Sequence, residues 1–259
     1  MKELPSLETS GAREIAYHLK TISGGDVLDV ATGKGDFIET LMKTLKAYSR
    51  FVGIDINQDD LAKAREKFQN HAVRFLEMDA THLDFEDESF DTVSIANSLH
   101  HLDDVSTVLA EMKRILKPGG HYIVEEMYQD GEQSEAQCTD ILEHHWTAKI
   151  DRIQGLTHHE TLTRQAIATE LEALNFPNLV MLESSWRVKC LFCGDRFVCE
   201  DPKSESIIAS FIKGVDKTLQ SLEPHQQTTE LVAEAEQLKA RAKETGVANA
   251  SNVFAIGIK

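Results

Sequence analysis

The sequence predicts a doubly wound α/β fold built on a parallel sheet, from three observations. Short apolar strands alternate with amphipathic helices between residues 26 and 126. The first strand runs straight into a glycine turn, VLDVATGKGDF, at residues 27–37. An acid, Asp55, closes the second strand twenty residues beyond Gly35. Helical crossovers between parallel strands are right-handed, which covers both faces of such a sheet.

The elements follow in order. Residues 9–20 read as a helix with Ile15 and Leu19 on one face. Residues 26–31 read as the first strand. Residues 36–47 read as a helix, with Phe37, Leu41 and Leu45 four apart. RFVGID at 50–55 is the second strand, and 58–69 a helix carrying Leu61, Ala64 and Phe68. Strands follow at 72–78 and 90–96, then a helix at 103–116 stopped by Pro118-Gly119-Gly120, then HYIVEE at 121–126. Beyond Glu126 the rhythm changes. Helices are expected at 132–154, 161–174, 204–222 and 225–245, a strand-forming run at 179–199, and a final strand at 252–258. The chain returns to the sheet, so 203–250 reads as helices inserted between the last two strands. It does not read as a separate domain.

With 259 residues, 41% hydrophobic and 27% charged, the chain can bury a full core. A net charge of −16 repels phosphate backbones and anionic membranes, so a nucleic-acid substrate is disfavoured. The N-terminal residues show no secretory pattern, and no run approaches the ~20 apolar residues of a spanning helix. The four cysteines, at 138, 190, 193 and 199, form no spaced disulfide framework. A reducing cytoplasm is therefore expected, and Cys190, Cys193 and Cys199 read as buried structural cysteines. The oligomeric state is left open, a homodimer being one option.

Ligands of open parallel sheets sit beyond the carboxyl ends of the strands. Gly33 and Gly35 lie there, and glycine lets a backbone approach its ligand closely. A carboxylate at Asp55 can accept two hydrogen bonds from a ribose diol, so the pattern binds a nucleoside. It is a poor dinucleotide fingerprint, because Ile38 stands where G-x-G-x-x-G needs its third glycine. It is not a P-loop either, since no G-K-[ST] follows. Asp36 opens the next helix and would oppose a pyrophosphate. A cationic or zwitterionic nucleoside suits the turn better.

The run D-V-A-T-G-K-G-D resembles the D/E-x-G-x-G-x-G motif of class I S-adenosylmethionine-dependent methyltransferases. Asp29 matches the acid, Ala31 replaces the first glycine, and Gly33 and Gly35 match the other two. VGIDIN (with Asp55 and Ile56), EMDATHL (with Asp79 and Ala80), FDTVSIANSLHHL and RILKPGGHYIVEE continue the likeness in order over residues 24–126. The branch it is most similar to includes ubiquinone and menaquinone biosynthesis methyltransferases.

The resemblance implies a Rossmann-like seven-stranded methyltransferase sheet, mainly parallel, with an antiparallel last strand. It implies one domain over 1–259, with a cofactor core at 24–126, a helical lid at 127–160 and the insertion at 203–250. It implies S-adenosylmethionine as cofactor, held by Asp29, Ala31, Gly33, Gly35, Asp55, Ile56, Asp79, Ala80 and Asn97. Asp55 would meet the ribose, Asp79 the adenine amino group, and Asn97 the methionine end. The expected activity is methyl transfer to a small-molecule acceptor. The alternatives are a non-catalytic binder of the same cofactor, acting as a regulator or partner subunit, and an NAD-dependent oxidoreductase.

His100 and His101 follow the fourth strand and are the candidate general bases. EHHWTAKIDRIQGLTHHET, residues 143–161, adds His144, His145, His158 and His159. Neutral imidazoles and carboxylates suit Zn, Fe or Ni, yet no H-E-x-x-H or other ligand template is present. Helical spacing also fails to bring these four histidines together. Substrate-lining or solvated histidines, and no metal, are expected. Tyr128, His144, His145 and Trp146 are the expected substrate pocket under the lid. Cys190-x-x-Cys193 in a strand would point its thiols to opposite faces, which argues against a zinc knuckle.

Overall fold

The computed structural model describes residues 11–184 and 201–259. Cys190, Cys193 and Cys199, and the part of the strand-forming run beyond Ser184, lie outside the described residues.

Seven strands form one sheet: β1 (Asp26–Val30), β2 (Arg50–Asp55), β3 (Val73–Glu77), β4 (Phe90–Ala96), β5 (Leu116–Met127), β6 (Val180–Ser184) and β7 (Asn252–Ile258). Their order is β3-β2-β1-β4-β5-β7-β6. Strands β1 to β5 pair in parallel, and β7 lies antiparallel between β5 and β6. The order reverses between β1 and β4, so their carboxyl ends open the crevice where such sheets bind ligands.

Both faces are covered, as the apolar strands require. Leu28, Val30, Val93, Ile95 and Val124 pack against Val108 and Met112 of α4 (Val105–Ile115) and Ile167 and Leu171 of α6 (Arg164–Ala173). On the opposite face Val27, Phe51, Ile123 and Phe254 meet α1 (Gly11–Thr21), α2 (Asp36–Thr44) and α3 (Gln58–Lys67) through Ile15, Leu19, Ile38, Leu41 and Leu61. Ile38, at the position of the missing third glycine, is thus a core residue. A third cluster joins α5 (Glu135–Ile153), α7 (Glu205–Gln220) and α8 (Thr229–Thr245) through Trp146, Ile150, Val215, Leu231, Ala235 and Leu238. In chain order α7 and α8 fall between β6 and β7.

Local caps set the helix starts. Asn57 accepts from Asp59 N and Asp60 N, Asp104 from Thr107 N, and Thr163 from Ala166 N. Ser134 and Gln137 form a reciprocal capping box at α5. This box explains why α5 begins at Glu135 and not at 132.

Two further boundaries differ from the sequence reading through contacts distant in sequence. Helix α2 stops at Thr44, because Leu45 turns to extended backbone and Ala47 bridges Ser23. Strand β5 starts at Leu116, five residues early. Gly119 N donates to Lys259 O at 2.6 Å and Lys259 N to Gly120 O at 3.1 Å. The end of β7 therefore draws the Pro-Gly-Gly turn into the sheet, a long-range pairing that local turn signals do not reveal.

Candidate active site

The glycine turn leaves β1 in a left-handed step at Ala31 (φ 50), followed by Gly33 (φ 51) and Gly35 (φ 80). The two glycines serve different needs. A Cβ on Gly35 would lie 2.6 Å from the Phe68 ring, so this glycine closes the turn onto α3. A Cβ on Gly33 would meet nothing within 4 Å, so its backbone faces open space. Gly33 N donates to Asp55 Oδ2 at 2.8 Å, which ties the turn to the end of β2. Asp55 Oδ1 accepts Asn57 N at 2.8 Å. An ionised carboxylate offers about four acceptor positions, so two stay open for a diol.

Asp29 has a supporting place. It is fully buried, and its oxygens accept Thr32 Oγ1 at 2.6 Å and Ser94 Oγ at 2.7 Å. Burial pushes its carboxyl up to about 6, and the two hydroxyls pull against that rise. It braces the turn and β4 from beneath. Asp79 is exposed, and Thr81 engages one of its oxygens through backbone and hydroxyl, both at 2.8 Å. Those bonds hold its carboxyl below the ordinary range, so it is ionised at neutral pH. Ile56, between these acids, is 72% exposed, an apolar surface at the rim fit to be covered by a planar base. Ala80 is half-buried beside Asp79.

The loop after β4 carries Asn97, exposed and left-handed at φ 46. Its course is set by Glu126, which sequence reasoning missed. Glu126 is wholly buried at the end of β5. Its Oε2 accepts Ser98 N at 3.0 Å and Leu99 N at 2.8 Å, and its Oε1 meets His100 Nδ1 at 2.6 Å. A carboxylate beside Nδ1 fixes the proton there and leaves the Nε2 lone pair free. His100 Nε2 is buried and has no hydrogen-bond partner among the described residues. The available signal was the EE pair ending a buried strand. A buried charge needs partners.

The segment after α5 folds back on this loop. His159 N donates to His100 O at 2.8 Å, His159 Nε2 lies 3.0 Å from Asp103, and Thr157 Oγ1 lies 3.2 Å from Asp103. This brings His144 and His158 onto His100 and His101, while His145 turns away to Thr161 Oγ1 at 2.8 Å. Burial and the neighbouring imidazoles push His101 down to about 4 and His144 to about 3, so both are neutral at pH 7. Trp146 is in the helical core, with its indole N–H on Leu231 O at 3.2 Å. Tyr128 is buried and points its hydroxyl at Glu183 Oε2, 3.4 Å away. Burial and Glu183 push that hydroxyl up to about 12. The lid residues nearest the loop are therefore the histidines, and neither large aromatic shapes that side.

A seven-stranded sheet with an antiparallel β7 and a glycine turn bonded to an acid on β2 defines the class I methyltransferase fold with a nucleoside-type site. Residues 28–124 match the family model described as a methyltransferase domain. The ubiquinone/menaquinone biosynthesis C-methyltransferase UbiE of Desulfotalea psychrophila is 38% identical over 99 residues, 38% of this chain and 40% of that protein. Curated relatives are matched over about half their length or less, as with the 51% of a demethylmenaquinone methyltransferase from Bacteroides fragilis. Among solved structures, the [4+2]-cyclase SpnF matches with a TM-score of 0.59 at 17% identity, over 95% of this chain and 78% of that one. The likeness to that structure is one of fold alone. Over residues 28–124 the chain thus matches a methyltransferase domain, and it is similar there to the UbiE and demethylmenaquinone methyltransferases.

Proposed function

We propose that the protein transfers a methyl group from S-adenosylmethionine to a small-molecule acceptor. The observation that carries this reading is the bond from Gly33 N to Asp55 Oδ2, beyond the carboxyl ends of β1 and β2 and within a matched methyltransferase domain. The residues present fit the cofactor. Gly33 keeps its backbone open where a side chain would intrude. Asp55 has acceptor positions for ribose hydroxyls, and Asp79 for the adenine amino group. Ile56 and Ala80 offer apolar cover to the base. Neither Gly33 nor Gly35 belongs to a phosphate-binding pattern, and Asp36 suits a cationic guest. Asn97 would line the methionine end, and Asp29 would hold the turn in shape.

When bound, S-adenosylmethionine supplies an already activated methyl group on a sulfonium. What this chain adds is placement. Glu126 fixes the loop that carries Asn97 and His100 toward the acceptor side. His100, with its proton on Nδ1, can take an acceptor's proton at Nε2 and share the resulting charge with Glu126. His101 is the second candidate, and burial lowers its affinity for protons.

The acceptor is a small molecule in this reading, because a surface of net charge −16 opposes nucleic acid. No described helix is long and apolar enough to cross a membrane. A cytoplasmic setting belongs to the same proposal. Incubation with donor labelled in its methyl group and a metabolite panel tests it. Release of S-adenosylhomocysteine with one labelled product is expected. Tight binding without turnover across the panel would favour the non-catalytic binder, and binding of NAD alone would favour the oxidoreductase.

A further inference from the structure

Four imidazoles converge beside the β4 loop. Ring centroids lie 4.4 Å apart for His100 and His101, 4.6 Å for His100 and His144, 4.1 Å for His101 and His158, and 4.8 Å for His144 and His158. One ring nitrogen from each of His100, His101 and His158 falls in a set no wider than 4.8 Å. His158 Nε2 lies 3.1 Å from His144 Nε2.

We propose that His100, His101, His144 and His158 form a binding site for one divalent first-row transition metal ion. Three features set this cluster apart from packed core histidines. First, two of its members have carboxylates on their far nitrogens. Glu126 Oε1 is 2.6 Å from His100 Nδ1, and Asp151 Oδ2 is 2.6 Å from His158 Nδ1. A carboxylate on the outer nitrogen is the usual support of a metal-binding imidazole, because it fixes the tautomer and strengthens the inner lone pair. Second, His100 is 1% exposed, yet its Nε2 has no partner among the described residues. A buried acceptor left unmet is costly, and an ion would satisfy it. Third, the dimensions suit an ion. Tetrahedral metal–nitrogen bonds of about 2.0–2.1 Å set nitrogens about 3.3 Å apart, so the set of three needs to draw in by about 1.5 Å.

The chemistry of the donors fits as well. All four are nitrogen ligands, which suit zinc, iron, cobalt or nickel over magnesium or calcium. His100 and His158 are buried, and His101 opens to solvent, giving an ion a way in. The ligands come from two segments more than forty residues apart in sequence, which is why no spaced motif announced them.

This inference goes beyond the methyl-transfer reading and is tested without the donor. Ion binding would occupy the His100 Nε2 lone pair, so base function at His100 belongs to the metal-free protein. The probe is Co²⁺, with Zn²⁺ as competitor, titrated into chelator-treated full-length protein and followed by visible ligand-field absorption and by elemental analysis. One equivalent is expected, displaced by Zn²⁺. His158→Ala and His100→Ala should each weaken binding at least 100-fold. Asp151→Asn, which leaves all four ligands in place, should weaken it 10- to 100-fold. His145→Ala, on the same helix as His144 but aimed at Thr161, should titrate like the parent. Thermal unfolding of each variant separates loss of a ligand from loss of the fold. Absence of stoichiometric Co²⁺ and Zn²⁺ binding by the folded parent would overturn the site, leaving a hydrogen-bonded imidazole cluster. Binding unchanged in folded His158→Ala and Asp151→Asn would overturn it too.

Discussion

Glu126 and His100 meet at 2.6 Å in a place closed to solvent, one at the end of β5 and the other in the loop after β4. That contact joins two neighbouring strands through side chains just where their backbone pairing ends. The same carboxylate holds two loop amides. Glu126→Gln keeps the volume but removes the charge and one acceptor oxygen. Hydrogen bonds to a charged group contribute about 1.5–3 kcal/mol each, so a loss of about 3 kcal/mol is expected in urea unfolding. Turnover should fall alongside. A loss below about 1 kcal/mol would mean that the loop is held by other contacts.

Ala31 stands where the related motif has glycine, and it adopts φ 50. A left-handed alanine is strained by roughly 1 kcal/mol, more than its advantage over glycine in the unfolded chain. Ala31→Gly is expected to raise stability by about 0.5 kcal/mol and to leave cofactor affinity equal or better. Lower stability on calorimetric melting would show that the turn prefers its methyl group.

Asp29 gives a pH signature. Its folded carboxyl titrates at about 6, above the ordinary value of 3.8, mainly through burial. Between these values the folded state keeps a proton that the unfolded chain releases, so stability falls as pH rises through this window. By pH 7 the cost is on the order of 2–3 kcal/mol. An amide side chain in its place has no such dependence. Asp29→Asn should therefore match the parent near pH 4 and gain on it up to pH 7. A difference that does not change with pH would contradict this.

The histidine cluster works in the opposite sense. In the folded, metal-free protein His144 titrates at about 3, chiefly through burial and then through His100. The unfolded chain takes up that proton near pH 6.5, so stability is full above this pH and is lost as pH falls. His144→Gln should flatten the acid limb of melting temperature against pH. Parallel curves for the two proteins would argue against the cluster's burial.

The parallel sheet and the glycine turn were legible because each is local. Strand periodicity, Gly33, Gly35 and the acid at Asp55 all sit within thirty residues. The departures come from pairings that sequence order conceals. Lys259 extends β5 through the Pro-Gly-Gly turn, and His159 closes onto His100. The resemblance placed Trp146 in a lid over the acceptor, yet it packs among residues of α7 and α8. Glu126 was hidden in a strand pattern that treats charges as ends. Its role became visible only when three donors were found around it.

In the proposed function the methyl donor sits beyond the carboxyl ends of β1 and β2 and is held through Asp55. Calorimetric titration of S-adenosylhomocysteine into the parent and Asp55→Ala tests it most directly. One equivalent bound by the parent, with affinity reduced 10- to 100-fold in the folded variant, is the predicted result. That range is about 1.4–2.7 kcal/mol, the loss of roughly one charge-assisted hydrogen bond to a ribose. No binding by the parent, or equal binding by the variant, would contradict the account.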